Sequence, residues 1–116
     1  MVKTALKPLP PAWREKNRYL AFELMEGSTS KEDLSGAIMS GALSLYGEIG
    51  VSEMNLRLVD FEENSGKGVI KVERSHVEDG RMALAFVSSA GRDKTPVALK
   101  VIGVSGSLKK ARSFVI

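Results

Sequence analysis

Alternation of apolar and polar residues over Arg18–Met25 (RYLAFELM) constrains the fold of this 116-residue chain more than any other feature. Strand side chains point alternately to opposite faces, so Leu20, Phe22 and Leu24 share one face and Tyr19, Ala21 and Glu23 the other. One face suits a core and the other does not. The stretch reads as an inner strand of a small sheet with helices on one side.

Later segments supply the rest of that sheet. Ser30 is placed to cap a helix over about Lys31 to Tyr46, with acids in its first turn and Leu34, Ala37, Ile38, Gly41 and Leu45 at helical spacing. Gly36 and Gly41 each cost ~1 kcal/mol against alanine in a helix interior, which close approach to the sheet would offset. Gly47 and Gly50 are expected to end the helix. Met54–Phe61 and Gly68–Arg74 alternate on either side of a polar turn, forming a hairpin. In it Leu56 and Leu58 share a face, Ile70 and Val72 share a face, and Val69, Lys71 and Glu73 lie opposite. Ser75 and Glu78 have the spacing of a capping box, opening a second helix at about His76 to Ser89 that packs through Val77, Leu84, Ala85 and Val87. Ala90–Pro96 reads as a loop, Val97–Val104 as a last strand, and Ser107 as the cap of a short terminal helix.

The order β-α-β-β-α-β belongs to α+β sandwiches of ferredoxin-like or RNA-recognition-like form. These have a four-stranded antiparallel sheet, two helices on one face, and the first and third strands in the middle. Three regions result: a proline-rich basic arm over 1–17, the sandwich over 18–105, and a basic helix or tail over 106–116. Base-reading domains of this topology stack bases on aromatics of the two central strands. Tyr19 occupies such a place on the first, but Val69, Lys71 and Glu73 offer no aromatic on the third.

Charge is spread unevenly. Residues 1–18 hold five cations against one acid, a net +4, and residues 99–116 hold four cations and no acid, also +4. With a total of +3, the middle carries −5. Two basic ends meeting on one side would make a phosphate-binding patch, and two ends apart would be solvated tails. Trp13 beside the prolines either anchors the arm to the domain or offers a stacking or protein contact.

Enzyme chemistry finds little footing. Without cysteine there are no disulfides, thiol nucleophiles or thiolate metal sites, which fits a reducing interior. His76, the single histidine, has no triad partner in sequence. Glu62 with Glu63, and Glu78 with Asp79, occupy turn and helix-start positions that favour acids anyway. No phosphate-binding loop, metal-ligand spacing or dinucleotide fingerprint is present. No run approaches the ~20 apolar residues of a membrane span, and the start lacks the apolar middle of a signal peptide. The expected location is cytoplasmic.

Four stretches in order resemble the archaeal ribonuclease P protein component 2 family. They are Pro11–Glu23 (PAWREKNRYLAFE), Ala42–Gly50 (ALSLYGEIG), Gly66–Arg74 (GKGVIKVER) and Gly103–Lys110 (GVSGSLKK). The resemblance implies an RNA-recognition-like fold and a place in the ribonucleoprotein that removes the 5′ leader from precursor tRNA. It also implies that catalysis and magnesium reside in the RNA, with no cofactor on the protein. Implied partners are ribonuclease P RNA, precursor tRNA through the holoenzyme, and a larger barrel-type protein subunit, in a homodimer or heterotetramer. From the charged ends, Arg14, Lys16, Arg18, Ser107, Lys109, Lys110 and Arg112 are the expected RNA-facing residues. Tyr19, Val69, Ala98 and Ile102, on the sheet face away from the helices, are the expected protein-assembly residues. The alternative from another class is a small-molecule regulatory module of ferredoxin-like form without RNA affinity.

Overall fold

In the computed structural model, which describes residues 16–114, the alternating stretch is β1, Asn17–Glu26. Trp13 and Arg14 lie outside the described residues. β1 is followed by α1 (Lys31–Met54), β2 (Arg57–Glu62), β3 (Lys67–Glu73), a 3-10 turn (Arg74–His76) and α2 (Val77–Phe86). A small hairpin of β4 (Ser89–Ala90) and β5 (Thr95–Pro96), then β6 (Ala98–Ser105) and α3 (Leu108–Ser113), complete the order. The main sheet runs β2-β3-β1-β6 with antiparallel neighbours, so the first and third strands are central as the element order requires.

The inward face of that sheet is the one the alternation marks. Leu20 and Phe22 of β1 and Ile70 and Val72 of β3 are buried against Leu34, Ile38 and Ala42 of α1 and Ala83 and Leu84 of α2. Each such large side chain contributes about 1.5–3 kcal/mol when fully buried. Gly68 of β3 pairs with Phe22 on one side and Phe61 on the other. The two rings stack across it, centroids 6.2 Å apart and planes 14° from parallel.

Helix ends differ from the sequence reading. α1 does not stop at Tyr46. The chain turns at Gly47 (φ 73°, ψ 176°), a left-handed φ that glycine adopts without steric cost. Helix then resumes and buries Val51 and Met54. It ends at Asn55, also left-handed at φ 52°. Gly41 is a point of close approach, but to α2: a Cβ there would sit 3.3 Å from the Phe86 ring, whereas one on Gly36 would meet open space. The Ser75–Glu78 capping box does not form. Glu73 takes both the Ser75 N–H (2.5 Å) and its hydroxyl (2.6 Å), so that hydroxyl points back to β3. α2 packs through Gly80, Ala83 and Leu84, with Ala85 exposed, and gives way after Phe86 to the β4–β5 hairpin.

The largest departure concerns the face away from the two long helices. α3 folds back across it, its Ala111 packing on Ala21 and Val69, and all three are 0% exposed. Val69, expected on an uncovered face, is therefore buried by the chain's own terminal helix. Alternation assigns a residue to a face, but not what later covers that face.

Candidate nucleic-acid interface

Pairing of β1 with β6 brings the two basic ends of the described chain together. Tyr19 is opposite Ser105, and β6 leads directly through Gly106 and Ser107 into α3. A Cβ on Gly106 would sit 3.8 Å from Arg18 Nη1, so the Arg18 guanidinium lies against the turn that starts α3. Half-buried there, Arg18 donates to the Asn17 carbonyl at 2.9 Å. Lys16, just before β1, is exposed, and its carbonyl accepts from the Arg74 N–H.

Ser107 organises α3. Its hydroxyl accepts from the Lys110 N–H at 3.2 Å, and its own N–H donates to the Ser105 hydroxyl at 3.2 Å. An N-cap of this kind contributes ~1 kcal/mol. With Ala111 fixed in the sheet contact, Lys109 and Lys110 are exposed on the outer side, and neither pairs with an acid among the described residues. Phe114 closes the contact: its ring lies over Gly103, where a Cβ would come within 2.8 Å. Arg112 behaves differently. Its Nε donates to Asp60 Oδ2 at 2.6 Å, so this expected RNA contact is already engaged by a carboxylate.

Strand register brings in two further cations, Arg57 and Lys71. Arg57 pairs with Lys71, Lys71 with Tyr19, and Tyr19 with Ser105, a single row across the sheet on the α3 side. That row contains two cations and no acid. The row at the far end, Glu62, Lys67, Glu23 and Lys100, alternates in sign and is close to neutral. Lys71 and Arg57 therefore add to Arg18 and α3 at that end of the sheet, where the next row, Asn17 opposite Glu73, brings one acid that is engaged by Ser75. Lys71 was legible as an outward residue, but the row becomes visible only once three strands are aligned.

The four expected assembly residues do not form one surface. Val69 is buried, Tyr19 and Ile102 pack partly against the α3 contact, and Ala98 is exposed opposite Glu26. Large exposed apolar side chains are found on the helical layer, at Leu43, Ile49, Met82 and Phe86, and also at Met25 of β1 and at Phe114.

Acidic groups serve local structure. Glu63 accepts from the Lys31 N–H at the start of α1, Glu62 from the Asn64 N–H in the hairpin turn, and Glu78 pairs with Arg81. His76 Nδ1 is 2.8 Å from Asp79 Oδ2. Tyr46 donates to the Asp79 carbonyl at 3.2 Å, tying α1 to α2. Burial, and then the Asp79 charge, raise the Tyr46 hydroxyl above its ordinary 10.0. Hydrogen bonds from Ser75 hold the Glu73 carboxyl below its ordinary 4.5. Among the described residues, no three His, Asp or Glu side chains are grouped to hold a metal, and no helix is long and apolar enough to cross a membrane.

Residues 18–116 match the model of the Rpp14/Pop5 family. The chain belongs to that family. It is similar to proteins named ribonuclease P protein component 2. It is 36% identical over 107 residues to that of Pyrococcus furiosus, covering 91% of this chain and 88% of the relative. To that of Methanosarcina mazei it is 38% identical over 107 residues, covering 91% and 89%. Among solved structures, a chain of yeast ribonuclease MRP superposes with a TM-score of 0.63, covering 87% of this chain and 86% of that one. At 9% identity that likeness concerns the fold alone. For this Rpp14/Pop5 member, the matched span takes in β1 from Arg18 onward, the other central strand β3 and the whole α3 contact.

Proposed function

We propose that the chain is a protein subunit of ribonuclease P, in which the RNA and its magnesium carry out removal of the 5′ leader of precursor tRNA. In this reading the chain binds the RNA backbone through Lys16, Arg18, Lys109 and Lys110, joined by Lys71 and Arg57. A larger barrel-type protein subunit is its partner. The observation that supports the proposal is the meeting of Arg18 with the Gly106–Ser107 turn, which sets Lys16 and Arg18 beside the start of the basic helix α3. A folded RNA is held mainly by phosphate contacts, for which cations matter more than stacking platforms. Apolar residues exposed on α1 and α2 give the protein partner a surface.

Salt titration tests it. Replacing Lys109 and Lys110 by Gln should flatten the log–log salt dependence of binding to ribonuclease P RNA by roughly 0.7–0.9 for each phosphate no longer neutralised. Cleavage of precursor tRNA by the reconstituted particle should then demand more of the variant subunit. An unchanged slope refutes the assignment of these residues.

A further inference from the structure

Arg112 and Asp60 stand 52 positions apart in sequence, yet their side chains meet at 2.6 Å. His76 with Asp79, and Arg81 with Glu78, are by contrast local pairs three residues apart. Asp60 belongs to the edge strand β2, just past an irregularity in its register with β3, and pairs with Val69. Ala111 covers Val69. Arg112, the next residue, therefore extends from the buried centre of the α3 contact to the sheet edge.

Two features argue that this pair is exchangeable. Both partners are open to solvent, at 51% and 39% side-chain exposure, and exposed ion pairs contribute little to stability. The helix is also held independently, by Ala111 in the sheet contact and by the Phe114 ring over Gly103. Arg112 can leave Asp60 without α3 leaving the sheet. A guanidinium donates to carboxylate and phosphate oxygens alike, and Asp60 engages it here through the one bond from Nε to Oδ2. Lys109 and Lys110, exposed on the same short helix, would deliver a backbone phosphate nearby.

We propose that Asp60 is an intramolecular competitor of RNA phosphate for Arg112. This rests on the reading of the α3 end as the RNA-facing surface. In the free protein the carboxylate holds the guanidinium. When RNA engages Lys109 and Lys110, a phosphate displaces Asp60, and Arg112 becomes an added contact. The internal carboxylate is a fixed competitor that an isolated phosphate must match alone, whereas a polyanion already held by the lysines presents its next phosphate at high local concentration. The device therefore favours a continuous backbone over free nucleotides.

A double-mutant cycle on the full chain, with a ribonuclease P RNA transcript as probe, tests the competition. Asp60→Asn should tighten binding by about two- to fivefold, the range expected from releasing an exposed pair. Arg112→Gln should weaken it, and Asp60→Asn added to Arg112→Gln should change nothing further. Equal tightening by Asp60→Asn in both backgrounds would show a general charge effect and overturn the proposal, as would no tightening in either. Circular dichroism and exchange of the Ala111 N–H, bonded to the Ser107 carbonyl at 3.0 Å, report whether α3 stays formed; a variant that loses α3 also overturns it. Lys109→Gln with Lys110→Gln separates the two ideas. Weakened binding there with a silent Asp60 arm removes only the competitor, whereas no weakening removes the RNA-facing surface as well.

Discussion

Replacing Gly68 by alanine should destabilise the protein although the change adds one methyl group. A Cβ at that position would lie 2.6 Å from the Asp60 carbonyl oxygen and 2.7 Å from Phe22 Cζ. Neither neighbour can yield cheaply: the carbonyl belongs to the paired strand β2, and the Phe22 ring is fully buried and stacked on Phe61. Forcing such a group into a packed core costs about 1–3 kcal/mol. Loss of the stacked pair adds roughly 0.5–1.5 kcal/mol. Alanine recovers about 0.4–1 kcal/mol by restricting the unfolded chain. These ranges combine to a net loss of about 0.5–4 kcal/mol, centred near 2, and a fall in Tm of about 8 °C at that centre for a domain of this size. Urea denaturation followed by circular dichroism should show a lower midpoint with an unchanged m-value. In a Phe22→Leu background, where the ring is absent, the cost should shrink by about 1 kcal/mol or more. A Gly68→Ala protein as stable as the parent, or a cost indifferent to Phe22, would refute the account. RNA binding should keep its salt slope, because the stack lies on the helical side of the sheet.

Two further outcomes concern pH. Glu73 has its folded pKa below the ordinary 4.5, so its bonds to Ser75 stabilise the protein above that value and are lost as pH falls through the folded pKa. Stability curves of the parent and Ser75→Ala, measured by denaturation, should therefore differ near neutrality and converge in acid; a gap that persists in strong acid, at about pH 2, would contradict this. Tyr46 has its folded pKa above 10.0, so the folded state resists its ionisation and stability declines as pH rises from 10.0 through the folded value. Tyr46→Phe should lose about 0.5–1.5 kcal/mol at neutral pH, from the hydrogen bond to Asp79, and show a shallower alkaline decline. An unchanged alkaline limb would exclude Tyr46 as its source.

Much of the sheet was legible because alternation is a local property. Leu20, Phe22, Ile70 and Val72 each have one side chain to bury, and the two-residue period assigns them to a face without knowledge of distant partners. Features that failed depend on competition or distance. Gly47 looked like an end, but Val51 and Met54 beyond it have core to fill, so helix resumes after one left-handed residue. Ser75 looked like a cap, but Glu73 lies closer and is charged. Alternation puts Val69 on its correct face but not in its environment, since its cover, Ala111, arrives more than forty positions later. For the candidate site, the approach of Arg18 to the turn before α3 follows from β1 lying beside the last strand. Arg57 and Lys71 needed strand register, and the attachment of Arg112 to Asp60 needed tertiary structure, because no local pattern relates residues so widely separated.

The interior position of β1 has a consequence for biosynthesis. Once synthesised, β1 finds one neighbour in β3, but its other edge stays unsatisfied until residues 98–105 are available. About eighty residues must emerge after β1 before the sheet closes, and joining segments so remote along the chain slows folding through the loop entropy of distant pairing. A nascent or C-terminally truncated product therefore displays a bare, strongly β-forming edge, a template for clumping that chaperones would have to shield.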